Sequence, residues 1–274
     1  MIVVTGATGK VGRYVVDELV AAGAEVRALT RDPDAARLPE GVRVARTEDL
    51  PLEGAEAVFV NPAVLWGKGA GELLSEATRA GVRRVVTLSS SAVLFEGPGN
   101  PIGDHHRALE AEIEASGLTW THVRPGAFAS NALQWAGQIR EGDVVRGPYA
   151  EAHTAPIHEA DIAAVAARAL IGDDLAGQAP VLSGPQSLTF AEQVTILGEA
   201  LGRPPLRYEE IPAEAAREGM TGGGVPADIA DSLLRMFAES VGRPAEISPE
   251  TERITGRPGR TFAQWASDHA AAFS

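Results

Sequence analysis

Along the first half of the chain, short runs of apolar, mostly β-branched residues alternate with longer stretches whose apolar positions recur every three or four residues. That alternation marks strand–helix–strand units on a parallel sheet. Ile2-Val3-Val4 predicts the first strand. A helix follows over 11–22, where Val11, Val15, Leu19 and Ala22 share a face and Gly23 stops it. Further strands are expected over 25–30, 42–45, 57–61 and 84–89, with a helix over 71–80. A helix over 104–116 then leads through Gly117 into a strand over 119–123, and Arg124-Pro125-Gly126 breaks the sheet pattern. Residues 131–140 and Glu159–Ile171 read as helices, and 180–183 as a short strand.

After Gly184-Pro185 the pattern becomes mainly helical. Thr189 with Glu192 forms a capping box ahead of a helix ending near Leu201. Two more helices are predicted over 227–239 and 262–273. The glycine-rich stretch 219–224 is the expected hinge or lid.

Composition narrows the class without changing this outline. The 274 residues are 45% hydrophobic and 22% charged, ordinary for a folded globular protein. A net charge of −13 argues against DNA, RNA and anionic lipid as partners. The absence of cysteine excludes disulfides and thiolate chemistry, and no metal site is expected. There is no basic segment followed by an apolar run at the start, and no apolar run of about 18 residues anywhere. A cytoplasmic protein without a membrane span is therefore expected.

The chemistry begins at Gly6-Ala7-Thr8-Gly9-Lys10-Val11-Gly12, placed between the first strand and the first helix. Gly6 permits the tight turn, Gly9 admits a pyrophosphate to the backbone, and Gly12 lets helix and strand pack closely. The helix start offers free N–H groups and a partial positive charge to that anion. This is a dinucleotide site, and it fixes the expected fold: α/β, a Rossmann-type doubly wound parallel sheet. Residues 1–185 form the core, with part of the pocket drawn from 130–158. Residues 186–274 form a smaller, mostly helical lobe over the carboxyl ends of the strands.

The end of the second strand, Thr30-Arg31-Asp32, selects the dinucleotide. Arg31 suits a 2′-phosphate, whereas Asp32 could accept a ribose hydroxyl or cap a helix beginning at Pro33. NADP(H) is the expected preference over NAD(H).

Four segments then resemble the NmrA-like group of atypical short-chain dehydrogenases. They are Val4-Thr5-Gly6-Ala7-Thr8-Gly9, Arg27-Ala28-Leu29-Thr30-Arg31-Asp32-Pro33, Leu88-Ser89-Ser90 and Val123-Arg124-Pro125-Gly126-Ala127-Phe128. The resemblance covers nearly the whole chain and weakens toward the C-terminal lobe. It implies that Arg31 binds the 2′-phosphate, that Asn61 and Pro62 border the cofactor, and that Pro125 to Phe128 lie near the nicotinamide. The candidate cofactor residues are therefore Gly6, Thr8, Gly9, Lys10, Val11, Gly12, Arg31, Asn61, Pro62, Ser89, His106, Pro125 and Phe128.

Most short-chain dehydrogenases use a tyrosine followed four residues later by a lysine, which lowers the phenol pKa for proton exchange. Here the only lysines are Lys10 and Lys68, and the tyrosines are Tyr14, Tyr149 and Tyr208, so that spacing is absent. Counting back from Ser116-Gly117-Leu118 puts His106 where the family's lysine would stand and Ile102 where its tyrosine would. His106 could bond the nicotinamide ribose or act as a general acid near neutral pH, or sit at the core boundary. Ser91 falls at the family's catalytic serine position, although the serine run could equally serve local backbone groups. His106 and Ser91 are the catalytic candidates.

Around them, Phe128, Asn131, Trp135 and Tyr149 are the substrate candidates, with Trp135 equally readable as core. Tyr149, His153 and His158 could each supply a proton. Asp104 reads as a helix N-cap, Asp161 as a helix-start acid, and Glu110, Glu112 and Glu114 as a solvated helix face. The leading function is hydride transfer from NADPH to a small apolar acceptor such as a quinone or conjugated carbonyl. The alternative is a non-catalytic NADP(H)-binding redox sensor. A small-molecule substrate is the expected partner, and a homodimer is an admissible assembly.

Overall fold

The computed structural model describes residues 1–65, 69–95, 99–203 and 205–274, and Lys68 lies outside them. β1 (Ile2–Thr5) leads through the glycine turn into α1 (Gly12–Ala21), followed by β2 (Val26–Thr30), β3 (Arg43–Arg46) and β4 (Ala57–Val60). Next come α2 (Gly71–Arg79), β5 (Arg84–Leu88), α3 (Pro101–Ala115) and β6 (Thr119–Pro125). The second half contains α4 (Ala136–Glu141), β7 (Val144–Gly147), β8 (His153–Thr154), α5 (Glu159–Ile171), β9 (Val181–Leu182) and β10 (Leu188–Thr189). It closes with α6 (Phe190–Ala200), β11 (Arg207–Glu210), α7 (Ala213–Gly222), α8 (Ala227–Ser240), α9 (Glu250–Thr255) and α10 (Phe262–Asp268).

Seven strands form one sheet in the order β3-β2-β1-β4-β5-β6-β9, every pair parallel. The strands β1, β4 and β5 are buried on both faces, which is why they read as unbroken apolar runs rather than alternating ones. The chain builds outward from β1 to β3, then returns to lay β4 on the other side of β1. That reversal opens a crevice at the carboxyl ends of the strands. α1 and α5 cover one face of the sheet, and α2 with α3 covers the other. A second apolar cluster includes Trp135, Phe190, Phe262 and Trp265, and so draws on residues from both sides of the boundary expected at 185.

Several boundaries differ from expectation for identifiable reasons. β6 does not break at Arg124 but runs through Pro125. The N–H groups of Arg124 and Gly126 bond to Pro180 and Leu182 on the β9 side, so the missing donor of Pro125 faces the side where β5 has already ended. α3 starts at Pro101, three residues early. Asn100 caps it by accepting the Gly103 N–H, and Pro101 opens the helix, while Asp104 is a first-turn residue paired with Arg107 rather than the cap. The helix expected over 131–140 begins as a 3-10 segment, Ala129–Trp135, and becomes α-helical only in α4. Within the expected hinge or lid over 219–224, Gly219 and Gly222 lie in α7, Gly223 caps it, and Gly224 turns the chain toward α8 at φ +90°. The helix expected over 262–273 ends at Asp268, with a 3-10 turn over Ala270–Phe273. The parallel pair of β7 and β11 was not foreseen, because strands 60 residues apart leave no local signal.

Residues after 186 pack in two places. α6, β11, α8 and α10 gather around the second apolar cluster, whereas α9 packs on α5, and polar side chains from the α9–α10 stretch reach α5. There Arg260 pairs with Asp161, which is buried and also accepts the Arg260 backbone N–H. The Trp265 indole donates to the buried Glu159 at 3.0 Å, and the other Glu159 oxygen accepts the Ser130 N–H at 2.9 Å. Among the described residues, no helix is long and apolar enough to cross a membrane.

Candidate active site

The glycine turn sits at the carboxyl end of β1, in the crevice. Gly6 adopts φ +62°, and a Cβ there would lie 2.8 Å from Asn61 Nδ2. A Cβ on Gly12 would lie 2.2 Å from the Gly6 carbonyl oxygen, so only glycine lets α1 approach the turn this closely. α1 has no side-chain cap and no acid in its first turn. Its N-terminal N–H groups and dipole are left for an anion, which is what a pyrophosphate requires. Thr8 and Lys10 are exposed on the turn, with the Thr8 and Thr30 hydroxyls 3.0 Å apart. Val11 is buried in the core, so its backbone alone can face a ligand. Asn61 closes over the turn. Its N–H donates to Thr5 Oγ1 and its Oδ1 accepts from Ala63, at the head of the 3-10 turn Pro62–Val64.

At the sheet edge, Arg31 is exposed just beyond β2. The Asp32 carboxylate accepts the Ala35 N–H at 3.2 Å, capping a turn; no helix starts at Pro33. Two residues here escaped the sequence reading. Arg46 pairs in register with Thr30 and reaches the Arg31 carbonyl at 3.4 Å. Thr47 follows it, its buried hydroxyl without a hydrogen-bond partner among the described residues. The signal that would have found them is the β2–β3 register, which no local pattern discloses.

At the other end of the crevice the three serines have different fates. The buried Ser89 hydroxyl donates to Glu110 at 2.6 Å. Ser90 caps the 3-10 turn Ser91–Leu94 by accepting the Ala92 N–H. Ser91 stands beside the Pro125–Gly126 ledge, its Oγ 3.8 Å from where a Gly126 Cβ would be. Glu110 is not on a solvated face; it is buried and bound by two Arg124 nitrogens at 2.9 and 2.7 Å. Burial pushes its carboxyl up, but the bonds from Arg124 and Ser89 and the nearby charges outweigh that and hold it below the ordinary value. Glu112 reaches across to accept the Ala70 N–H, and Glu114 lies 3.4 Å from the buried His122.

His106 lies on α3, one turn before Glu110, and its buried Nδ1 has no hydrogen-bond partner among the described residues. Burial, reinforced by His105 and partly opposed by Glu110, pushes its imidazole from 6.5 down to about 4. At that value it is neutral at physiological pH. Burial also lowers His122 and His158 against their acidic neighbours. The sign follows from linkage. These groups take up protons more readily when unfolded, so the stability they confer is complete above about pH 6.5 and is lost as pH falls toward 4. His106 alone should contribute roughly 3 kcal/mol of that loss. Urea unfolding at a series of pH values checks it, and His106→Gln should flatten the curve.

The substrate candidates are not equivalent. Trp135 is only 5% exposed, edge-on to Phe190 and Tyr208, and belongs to the second apolar cluster. Asn131 is exposed, and Phe128 is half-buried and bridged to Ile157. Tyr149 is half-buried against the second apolar cluster with φ +51°, a left-handed backbone rare for an aromatic residue. His153 faces Ser187 at 3.2 Å. His158 caps α5 through Nδ1 and reaches Asp268 through Nε2, so it serves the fold.

A family model described as NAD(P)H-binding matches residues 6–172. The chain is 38% identical to a (4-alkanoyl-5-oxo-2,5-dihydrofuran-3-yl)methyl phosphate reductase of Streptomyces griseus, over 100% of this chain and 99% of that protein. It is 36% identical to an NAD(P)H azoreductase of Xenophilus azovorans, with the same shares covered. An NADPH-dependent quinone oxidoreductase of Escherichia coli, solved with NADPH, has the same fold. Its TM-score is 0.80 at 24% identity, over 98% of this chain and 99% of that one. With the uncapped glycine cradle at the sheet's reversal point, these matches settle the family: the chain belongs to the NAD(P)H-binding, NmrA-like group of atypical short-chain dehydrogenases and is an oxidoreductase of that group.

Proposed function

We propose that the protein is an NADPH-dependent reductase of small, electron-poor acceptors such as quinones and conjugated carbonyls. The observation that carries this reading is a glycine cradle fit for a dinucleotide at one end of the crevice, with Ser91 beside the Pro125–Gly126 ledge at the other, and His106 on α3 neutral at physiological pH. NADPH, when bound, supplies the hydride. The glycine turn holds the pyrophosphate, and the ledge from Pro125 to Phe128 orients the nicotinamide end. Ser91 donates a hydrogen bond to the acceptor oxygen. His106 takes the place of the family's lysine as a neutral hydrogen-bonding group for the ribose.

A quinone or enone that accepts a hydride becomes a delocalised anion, which water can protonate. An unactivated ketone needs a proton as the hydride arrives, and the tyrosine–lysine pair that would deliver it is absent from the chain. The relatives' names agree with conjugated acceptors: one reduces a dihydrofuranone and another is an azoreductase. Arg31 favours NADP(H) over NAD(H). The assembly we propose is a homodimer that does not bind nucleic acid.

The test is NADPH consumption with quinones, enones, azo dyes and simple ketones. Turnover is expected with the first three classes and not with the last. Ser91→Ala and His106→Ala should each lower kcat about tenfold, the effect of one lost hydrogen bond. Because His106 is already neutral, kcat should show no inflection near 6.5 over roughly pH 5 to 8. Tight NADPH binding with no consumption on any acceptor would replace this reading with the redox sensor.

A further inference from the structure

We propose that Arg46 is a second 2′-phosphate ligand, forming with Arg31 a two-cation clamp that sets the preference for NADP(H). This deepens the NADPH reading above and rests on it. β3 is the edge strand, and its register with β2 puts Arg46 opposite Thr30, next to Arg31. The Arg46 guanidinium is turned back over the end of β2, where it donates to the Arg31 carbonyl at 3.4 Å.

The charge pattern singles out this corner. Three residues earlier on the same strand, Arg43 is neutralised by Glu25 at 2.6 Å. Among the described residues, no ion pair is found for either Arg31 or Arg46, although the chain carries a net charge of −13. Asp32, next to Arg31, is engaged with the Ala35 N–H, and Glu48 and Asp49, in the 3-10 turn after Arg46, form no ion pair with it among the described residues. Two guanidinium groups rooted on neighbouring strand ends, neither in an ion pair, favour an anion between them.

The polar groups around the corner also suit a phosphate monoester. The Thr8 and Thr30 hydroxyls lie together on the β1–β2 side. On the β3 side, the buried Thr47 hydroxyl has no partner among the described residues, and a buried hydroxyl left so costs stability unless a ligand or water satisfies it. A 2′-phosphate is dianionic and rich in acceptors, and it would engage both guanidinium groups at once. A 2′-hydroxyl offers neither the charge nor the span, so Arg46 should affect NADPH and leave NADH untouched.

The experiment is fluorescence titration of the full-length protein with NADPH, NADH and the probe 2′,5′-ADP. Wild type should bind NADPH more tightly than NADH. Arg46→Ala should weaken NADPH and 2′,5′-ADP about tenfold to a hundredfold, leave NADH unchanged, and leave the melting temperature unchanged, since Arg46 is exposed. Arg46→Lys should recover part of the loss, and Arg31→Ala/Arg46→Ala should abolish the preference. If Arg46→Ala leaves NADPH binding intact while Arg31→Ala removes the preference, the second cation is refuted and the NADPH reading stands. Equal weakening of NADPH and NADH would make Arg46 a general contact and also refute it. Wild type binding NADH as tightly as NADPH would overturn the NADPH reading and the clamp together.

Discussion

Replacing Gly12 with alanine should abolish measurable dinucleotide binding. The added methyl would stand 2.2 Å from the Gly6 carbonyl oxygen and 3.0 Å from the Ala7 Cα, and both are backbone atoms with no rotamer to escape into. Either the turn opens or α1 backs away from β1, and each movement spoils the N–H groups that α1 presents. Overpacking of this kind costs about 1–3 kcal/mol in stability. The binding loss should be larger, at least a hundredfold, because aligned donors act together. Calorimetric titration with NADPH, paired with a melting curve, separates the two. Gly71→Ala is the control: no atom lies within 4 Å of the new methyl, and its melting temperature should not fall. A Gly12→Ala protein with unaltered NADPH affinity would mean that the turn is not the pyrophosphate site.

The second large effect is expected at Glu110. Its carboxylate collects two Arg124 bonds and the Ser89 hydroxyl, tying α3 to the ends of β5 and β6. Glu110→Ala strands a partly buried guanidinium and a buried hydroxyl, at a cost of about 3–5 kcal/mol. That is a large share of the 5–15 kcal/mol typical of a whole domain. Glu110→Gln keeps the shape and part of the bonding and should lose less. Denaturant midpoints decide it, and a shift in Glu110→Ala worth under about 1 kcal/mol would show the network to be dispensable. Ser91 lies two residues after Ser89 and Pro125 directly follows Arg124, so kcat should fall in the alanine variant even where it remains folded.

The features legible in the sequence are those that local pattern encodes. The unbroken apolar runs of β1, β4 and β5, the spacing of Gly6, Gly9 and Gly12, and the capping box of Thr189 and Glu192 each appear where the residues alone put them. The misreadings have a common cause, which is that a distant partner decides the outcome. Glu110 looked like one of three solvated acids until β6 brought Arg124 across it. Pro125 looked like a strand breaker because only the sheet shows that its missing N–H faces no strand. Arg46 carried no motif; the β2–β3 register gives it a neighbour.

The return of the C-terminal segment to α5 has a consequence for how the molecule assembles. Glu159 meets Trp265 across 106 residues of sequence, and Asp161 meets Arg260 across 99. Through Glu159, the same clasp fixes the Ser130 backbone, in the segment that follows Phe128. On a ribosome the glycine cradle can collapse from local strand–helix units early, long before residues 260–265 emerge. The anchoring of Ser130 through Glu159 and Trp265 must wait for them. A nascent chain lacking those residues would thus hold its early strand–helix units while the segment after Phe128 was still untied.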